Sequence, residues 1–296
     1  MRVAWEWLHS CGGCEATLLD LGEALPPLLR RLEIVHMSLL HDHRYGSDSA
    51  PEIPGADLGL VSGGVAFAGQ QRLLETMRRR CDLLVALGTC ATHGGIPALM
   101  NSRGMVDGLD GIAGSVGIDP DVVEPLERVH ALDEIVQVDM VLPGCPPDPE
   151  QVGGLLTAIL DGREPARPSR SVCDSCPAIR TGERREAGVK RFCSPPEVAE
   201  AGEAVGLRCL QEQGFLCLGP VTAGGCGMER GPHCIRVGVP CRGCLGPVGG
   251  QGNQMVAMLN ILASGGVDFR TVLDRRGLLR FAGAHGRLRP GKGKKR

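Results

Sequence analysis

Cysteine is the residue type that carries chemistry in this chain, and it comes in two sets. The first opens with Cys11-Gly12-Gly13-Cys14, between a short apolar run, Arg2–Leu8, and a helical pattern that starts at Glu15. A CxxC turn points two sulfurs at one centre, and the first N–H groups of the following helix favour negative charge there. Cys90, in Leu87-Gly88-Thr89-Cys90, and Cys145, in Leu142-Pro143-Gly144-Cys145-Pro146-Pro147, each follow another apolar run. In a parallel α/β sheet the C-terminal ends of such strands meet along one edge, where ligands bind. Cys11, Cys14, Cys90 and Cys145 are therefore expected to converge on an all-thiolate metal site. The second set lies in the later half. Between Cys173 and Gly250 stand nine cysteines among many Gly and Pro. Cys173, Cys176, Cys209, Cys217, Cys226, Cys234, Cys241 and Cys244 suit two further centres of four thiolates each.

Zinc also accepts four thiolates, but zinc ribbons usually pair two CxxC knuckles per site. Most of these cysteines are spaced irregularly. Proline follows Cys145 and Cys176, as in many cluster loops, and glycines around Cys226 and Cys244 leave N–H groups free to reach sulfide. The pattern favours iron–sulfur over zinc. Two cysteines read as spare. Cys81, at the helix-to-strand junction Arg80-Cys81-Asp82, suits a small buried side chain, and Cys193, in Arg191-Phe192-Cys193-Ser194, lacks the glycines of its neighbours.

The elements that must position the first set are legible as five short, nearly continuous apolar runs: Arg2–Leu8, Glu33–Leu40, Asp57–Ser62, Leu83–Gly88 and Ile135–Leu142. Strands covered on both faces look like this. Helical spacing alternates with them at Leu18–Leu32, restarted by Pro26-Pro27, at Gln70–Arg80, and from an Asp148 N-cap with Pro149 to about Leu160. The alternation predicts an α/β fold: a flavodoxin-like parallel-sheet domain followed by a small cysteine-rich iron–sulfur domain. The expected boundaries are 1–161 for the sheet domain and 162–172 for a Pro/Arg-rich linker. Residues 173–250 follow as the cysteine domain, with one helix at Pro196–Leu210. A helical segment, 251–282, is expected to pack back on the body, and 283–296 to form a solvated basic tail. Gly104–Pro120 reads as a surface or interface loop.

Composition narrows the function classes. A net charge of −2 gives no nucleic-acid footprint, and the basic tail has no interleaved aromatics. The start, Met1–Trp7, lacks a basic region followed by an apolar one, and no apolar run reaches membrane-spanning length. Fourteen cysteines in such a chain are better explained by metal than by disulfides, which points to the cytoplasm. No Ser-His-Asp set stands out, and Gly63-Gly64 after the third strand lacks a GxGxxG pattern.

With both cysteine sets in view, the chain resembles the small, electron-transferring subunit of cytoplasmic [NiFe]-hydrogenases, of the methyl-viologen-reducing, deazaflavin-reducing and sulfhydrogenase branch. The first half matches through Cys11-Gly12-Gly13-Cys14-Glu15, Leu87–Ala98 and Leu142–Pro147. The cluster-bearing subunit of complex I shares that module. The second half selects the hydrogenase type, through Cys209-Leu210, Gly214, Cys217-Leu218-Gly219-Pro220, Gly225-Cys226-Gly227, Cys234, Pro240-Cys241, Cys244 and Gly246-Pro247. The resemblance implies three [4Fe–4S] clusters, with Cys11, Cys14, Cys90 and Cys145 holding the one proximal to a nickel–iron centre on a separate large subunit. The two others, in the C-terminal domain, are implied to pass electrons to an acceptor subunit of flavin, nicotinamide or heterodisulfide-reductase type. A large partner would cover the strand-end edge, with Gly94–Ala98 and Gly104–Pro120 as candidate contacts.

Ser62 departs from some members of the family, which carry an acidic residue near the proximal cluster. Glu15 has two readings, proton traffic at the subunit interface or complementing the helix dipole. His93 reads as a structural histidine or as a donor near Cys90, and His233 as exposed. Two alternatives remain: a complex-I-like subunit, which leaves the second cysteine set unexplained, and a zinc-stapled scaffold without redox function.

Overall fold

A computed structural model describes residues 1–40, 46–47, 50–103, 124–165, 168–182, 189–190, 206–250, 252–272 and 276–289. The chain divides into two units, residues 1–166 with 281–296, and residues 167–280.

The first unit is built on a five-stranded sheet: β1 (Arg2–Trp7), β2 (Glu33–Met37), β3 (Ala56–Ser62), β4 (Cys81–Leu87) and β5 (Met140–Leu142), in the order β2-β1-β3-β4-β5. Every pairing is parallel, and the order is that of flavodoxin-type sheets. Both faces are covered. Val3, Trp5, Leu58, Leu60, Val85 and Leu87 point to one core, and Ala4, Val61, Leu84 and Ala86 to the other, which is why the strands read as continuous apolar runs. On the first face lie α1 (Gly13–Leu19), α2 (Leu25–Leu29) and α5 (Pro149–Leu160), whose Leu18, Leu28, Val152, Leu155 and Leu156 join that core. On the other, α3 (Ala68–Arg80) contributes Leu74 and Met77. A six-residue helix, α4 (Gly88–His93), follows β4 directly.

Three sequence expectations shift. The second strand stops at Met37, because Leu40 N–H turns back to the Met37 carbonyl. The fifth begins only at Met140. Residues Leu132–Glu134 form a helical turn closed by Glu134, whose carboxylate accepts from Ala131 N–H, and Asp139 spends its carboxylate on Leu84 N–H and Arg78. The segment from 283 is not all tail. Ala282 and Ala284 are fully buried, Ala284 N–H donates to the His93 carbonyl, and His285 pairs with Asp133 at 2.8 Å. Residues 281–289 are thus a strap on the first unit. Residues 290–296, like Gly104–Pro120, lie outside the described residues.

The second unit consists of short loops around two apolar clusters. One joins Val172, Leu210, Phe215, Ile235, Cys217 and Cys241. The other gathers Leu218, Val221, Val267, Val272 and Leu278 against Met258 and Leu262 of α6 (Gln254–Ser264), whose N-cap Asn253 accepts from Met255 and Val256 N–H. The expected C-terminal helix is present as α6, packed on the apolar residues that follow Cys217. Of the helix expected at Pro196–Leu210, only the end is described. Leu207 and Arg208 lie there in a bridged, extended stretch, and Arg208 pairs with Ile179.

Candidate metal centres

The first set is assembled by the strand ends. Beyond β1, Leu8 N–H bonds the Ser62 carbonyl and His9 bridges Gly64, carrying the chain round to an exposed Cys11. Gly12, in the left-handed region at φ 82°, starts α1 and buries Cys14 in its first turn. Beyond β4, Gly88 (φ +81°) turns straight into α4 with Cys90, and a Cβ built on it would lie 2.3 Å from Cys14 Sγ. A Cβ on Gly95 would lie 2.6 Å from Cys90 Sγ. Beyond β5, Gly144 N–H donates to Thr89 Oγ1 and Thr89 N–H to the Gly144 carbonyl, both at 2.8 Å, locking the Cys145 turn to the Cys90 turn.

The four sulfurs act on one another. Burial pushes the Cys14 thiol far up, and Glu15, Cys90, Cys145 and Cys11 add to the shift. Burial, with Cys145 and Cys11, pushes Cys90 up to about 12, opposed by the Ile96 N–H. Burial and then Cys11 raise Cys145. Such thiols stay ionised together only beside strong positive charge, which a metal centre supplies.

Neighbouring side chains settle several readings. Glu15 is buried, with Oε1 accepting from Trp5 Nε1 at 3.3 Å and from the Ser62 hydroxyl. Its Oε2 is buried and has no hydrogen-bond partner among the described residues. Glu15 is therefore a buried first-turn residue of α1 held in an interior network that Ser62 joins. His93 is buried with Nδ1 2.6 Å from Thr92 Oγ1, and the N–H that reaches Cys90 belongs to Ile96. That is the structural role. His233 is exposed. Within Gly94–Ala98, expected to face a partner, Gly94, Gly95 and Ala98 are buried, and Ala284 and Gly283 of the strap pack on Gly94 and Ala98. Only Ile96 in that segment is exposed. Cys81 is buried at the start of β4, against Gly59 and on the other face from Cys14. Cys193 lies outside the described residues.

In the second unit Cys173 sits in a turn (Val172–Ser175) that leads directly into Cys176, capped by Asp174, which accepts from Ser171 N–H and Oγ. A Cβ on Gly219 would lie 3.0 Å from Cys173 Sγ and 3.6 Å from Cys217 Sγ, so both sulfurs flank that glycine. Burial pushes Cys173 up to about 12, with Cys217, Cys176 and Cys209 adding and Arg180 opposing. Burial takes Cys217 to about 11 against the N–H groups of Gly219 and Cys241, while Cys209 and Cys176 raise it. Cys173, Cys176, Cys209 and Cys217 thus form one group. Cys241 is raised by burial, then by Cys217, with the Gly243 N–H opposing and Cys244 adding, while the Thr222 hydroxyl donates to the Leu218 carbonyl at 2.6 Å. Burial raises Cys234 against the charge and N–H of Arg242. Cys226 packs on the apolar cluster that holds Cys217 and Cys241. Arg180, Thr89 and Thr222 did not stand out in the sequence. Only the position of Arg180, four residues after Cys176 in Cys-Pro-Ala-Ile-Arg, hints at a role.

The donor sets, all of thiolate, suit iron–sulfur clusters. A tetrahedral zinc, at about 2.3 Å from each sulfur, holds them about 3.8 Å apart. Among the described residues no three His, Cys, Asp or Glu side chains are close enough to hold one ion. Gly88, Gly95 and Gly219 keep β-carbons away from the sulfurs of Cys14, Cys90 and Cys173, and backbone N–H groups are directed at Cys90 and Cys217.

Comparison with known proteins agrees with this geometry. The family model for the NADH ubiquinone oxidoreductase 20 Kd subunit matches residues 11–159. The chain is 34% identical to a subunit of the vhu F420-non-reducing hydrogenase of Methanocaldococcus jannaschii, over 94% of this chain and 93% of that one. It is 31% identical to the delta subunit of sulfhydrogenase 2 of Pyrococcus furiosus, over 88% and 92%. Among solved structures, a chain of an NAD+-reducing [NiFe]-hydrogenase in the H2-reduced state superposes with a TM-score of 0.51 at 33% identity, over 57% of this chain and 95% of that one.

Proposed function

The chain belongs to the family of [NiFe]-hydrogenase small subunits, and on that premise we propose that it relays electrons through three [4Fe–4S] clusters between a large subunit and an acceptor module. As a hydrogenase small subunit it works with a large subunit, where the nickel–iron site belongs in this reading. Cys11, Cys14, Cys90 and Cys145 hold the proximal cluster. Cys173, Cys176, Cys209 and Cys217 hold a second, and Cys226, Cys234, Cys241 and Cys244 a third. The observation that carries the reading is the first group: four cysteines from three distant loops meet at one sheet edge, with glycine where a β-carbon would strike a sulfur. The full-length likeness to hydrogenase subunits supports it over the complex-I-like alternative, whose family model stops at residue 159.

When bound, the clusters supply one-electron storage and release. The chain's part is to hold them, exclude water and set their potentials. Buried sulfurs and N–H groups from Ile96, Gly219, Cys241 and Gly243 act on the potential. Dihydrogen oxidation or proton reduction follows at the partner. No helix among the described residues is long and apolar enough to cross a membrane, and the reading places the complex in the cytoplasm.

Replacing Cys90 with Ala in the large–small complex tests this reading. One of four converging thiolates is lost, so the proximal cluster is expected to disappear or convert to a three-iron form. Hydrogen-dependent viologen reduction then falls severely, while the C-terminal clusters still assemble. Normal activity in Cys90→Ala would sink the assignment.

A further inference from the structure

Arg180 stands outside the cysteine motifs, yet the second unit delivers its guanidinium to the group formed by Cys173, Cys176, Cys209 and Cys217. Ile179 N–H donates to the Leu207 carbonyl at 2.9 Å and Cys209 N–H to the Ile179 carbonyl at 2.8 Å. This parallel bridge of Ile179 with Arg208 runs residue 180 alongside Cys209. The two following residues are stapled from the same loop. The Glu212 carboxylate, between Cys209 and Cys217, accepts from Thr181 N–H at 3.1 and 3.0 Å, from Gly182 N–H at 2.8 Å and from Thr181 Oγ1 at 3.1 Å. From that anchor Arg180 Nη2 donates to the Cys173 carbonyl at 2.6 Å, while the guanidinium charge acts on Cys173, Cys209 and Cys176.

A residue that served only to cap the Cys173 carbonyl would need one donor. Arg180 offers a planar fork with a permanent charge, so it holds the carbonyl while its charge stands beside the sulfurs. Cluster potentials depend on net charge, hydrogen bonds to sulfur and exposure. Reduction adds one electron to the cluster and forms no new bond, so a fixed cation beside the sulfurs favours the reduced form. We propose that Arg180 raises the reduction potential of the cluster held by Cys173, Cys176, Cys209 and Cys217, keeping that cluster reducible within the relay. The proposal rests on the reading of those four cysteines as the ligands of one cluster.

The test is a potentiometric EPR titration of the intact large–small complex carrying Arg180→Gln or Arg180→Lys, with iron content measured alongside. In Arg180→Gln the iron content is expected to match the unaltered complex. One cluster's midpoint falls, by an amount on the order of a tenfold change in its one-electron equilibrium, about 59 mV, and the others do not move. Arg180→Lys, which keeps the charge, retains most of the potential. Unchanged midpoints in Arg180→Gln would overturn the proposal. So would an equal fall in both variants, which would remove charge as the cause, or iron loss in Arg180→Gln alone, which would make the role one of assembly. A missing cluster signal in the unaltered complex would overturn the ligand reading beneath it.

Discussion

At Gly88 the chain has no room for a β-carbon: one placed there would lie 2.3 Å from Cys14 Sγ, and the backbone sits at φ +81°. An alanine there carries a left-handed backbone cost of about 1–2 kcal/mol and pushes the Cys14 sulfur out of its group. Gly88→Ala is therefore expected to lower the iron content of the purified complex by about a third, one cluster of four irons in three, while the EPR signals of the C-terminal clusters persist. Full iron content in that variant would contradict the packing described for Cys14. The sequence shows Gly88 as the end of a strand, but its role as clearance depends on a sulfur 74 positions away by number (88 − 14). Ser62 was similarly opaque. Its absent acidic side chain could be read, but its bond to Glu15 required β1, β3 and α1 to be placed first. The surroundings of Glu15 and His93, an interior network and the Thr92 hydroxyl, are likewise not legible from their neighbours in sequence.

Among the elements, the strap at 281–289 is the one that pattern alone missed. Small residues such as Ala282, Gly283 and Ala284 carry no apolar periodicity, yet they fit where Gly94 and Ala98 leave no space for larger side chains. The strap closes over the turn that carries Cys90, and its charges make that region sensitive to acid. Burial, with Arg287 and His285 adding and Asp133 opposing, brings His93 down to about 4 from 6.5. Between those values the unfolded chain binds a proton that the folded chain does not, so stability falls as pH falls through that window. Glu134 continues the trend. Burial opposes its ionisation, but the His130 ring 3.8 Å away, hydrogen bonds from His285 N–H and Ala131 N–H, and the Arg128 charge outweigh it and hold the carboxyl at about 2. Its contribution is present above the ordinary carboxylate range and is lost as pH drops toward 2. At pH 5 the His93 effect is on the order of 2 kcal/mol, which corresponds to a fall of several °C in Tm from pH 7 to pH 5. The fall is expected to be smaller in His93→Gln, which has no proton to gain, and equal falls in both proteins would remove His93 as the cause. By contrast, the five strands and α3 and α5 were legible. Their apolar runs, the Asp148 cap and the Pro149 start are local signals, and only the ends shift where side chains such as Asp139 divert the pairing.

On the scale of the whole molecule, the sequence carries the two-part organisation because each part is organised by cysteine. The unit boundary at 166–167 falls inside the expected linker, 162–172. What composition did not reveal is that the second unit has apolar clusters of its own, one of them completed by α6. The central claim is that this hydrogenase small subunit holds three four-iron clusters on twelve of its fourteen cysteines. The most direct test is the iron, acid-labile sulfide and zinc content of the anaerobically purified large–small complex, corrected for the metals of the large subunit. The account predicts about twelve irons and about twelve sulfides per small subunit and little zinc. About four irons would reduce the chain to a single-cluster, complex-I-like subunit, and zinc without sulfide would make it a stapled scaffold. Either result would contradict the relay.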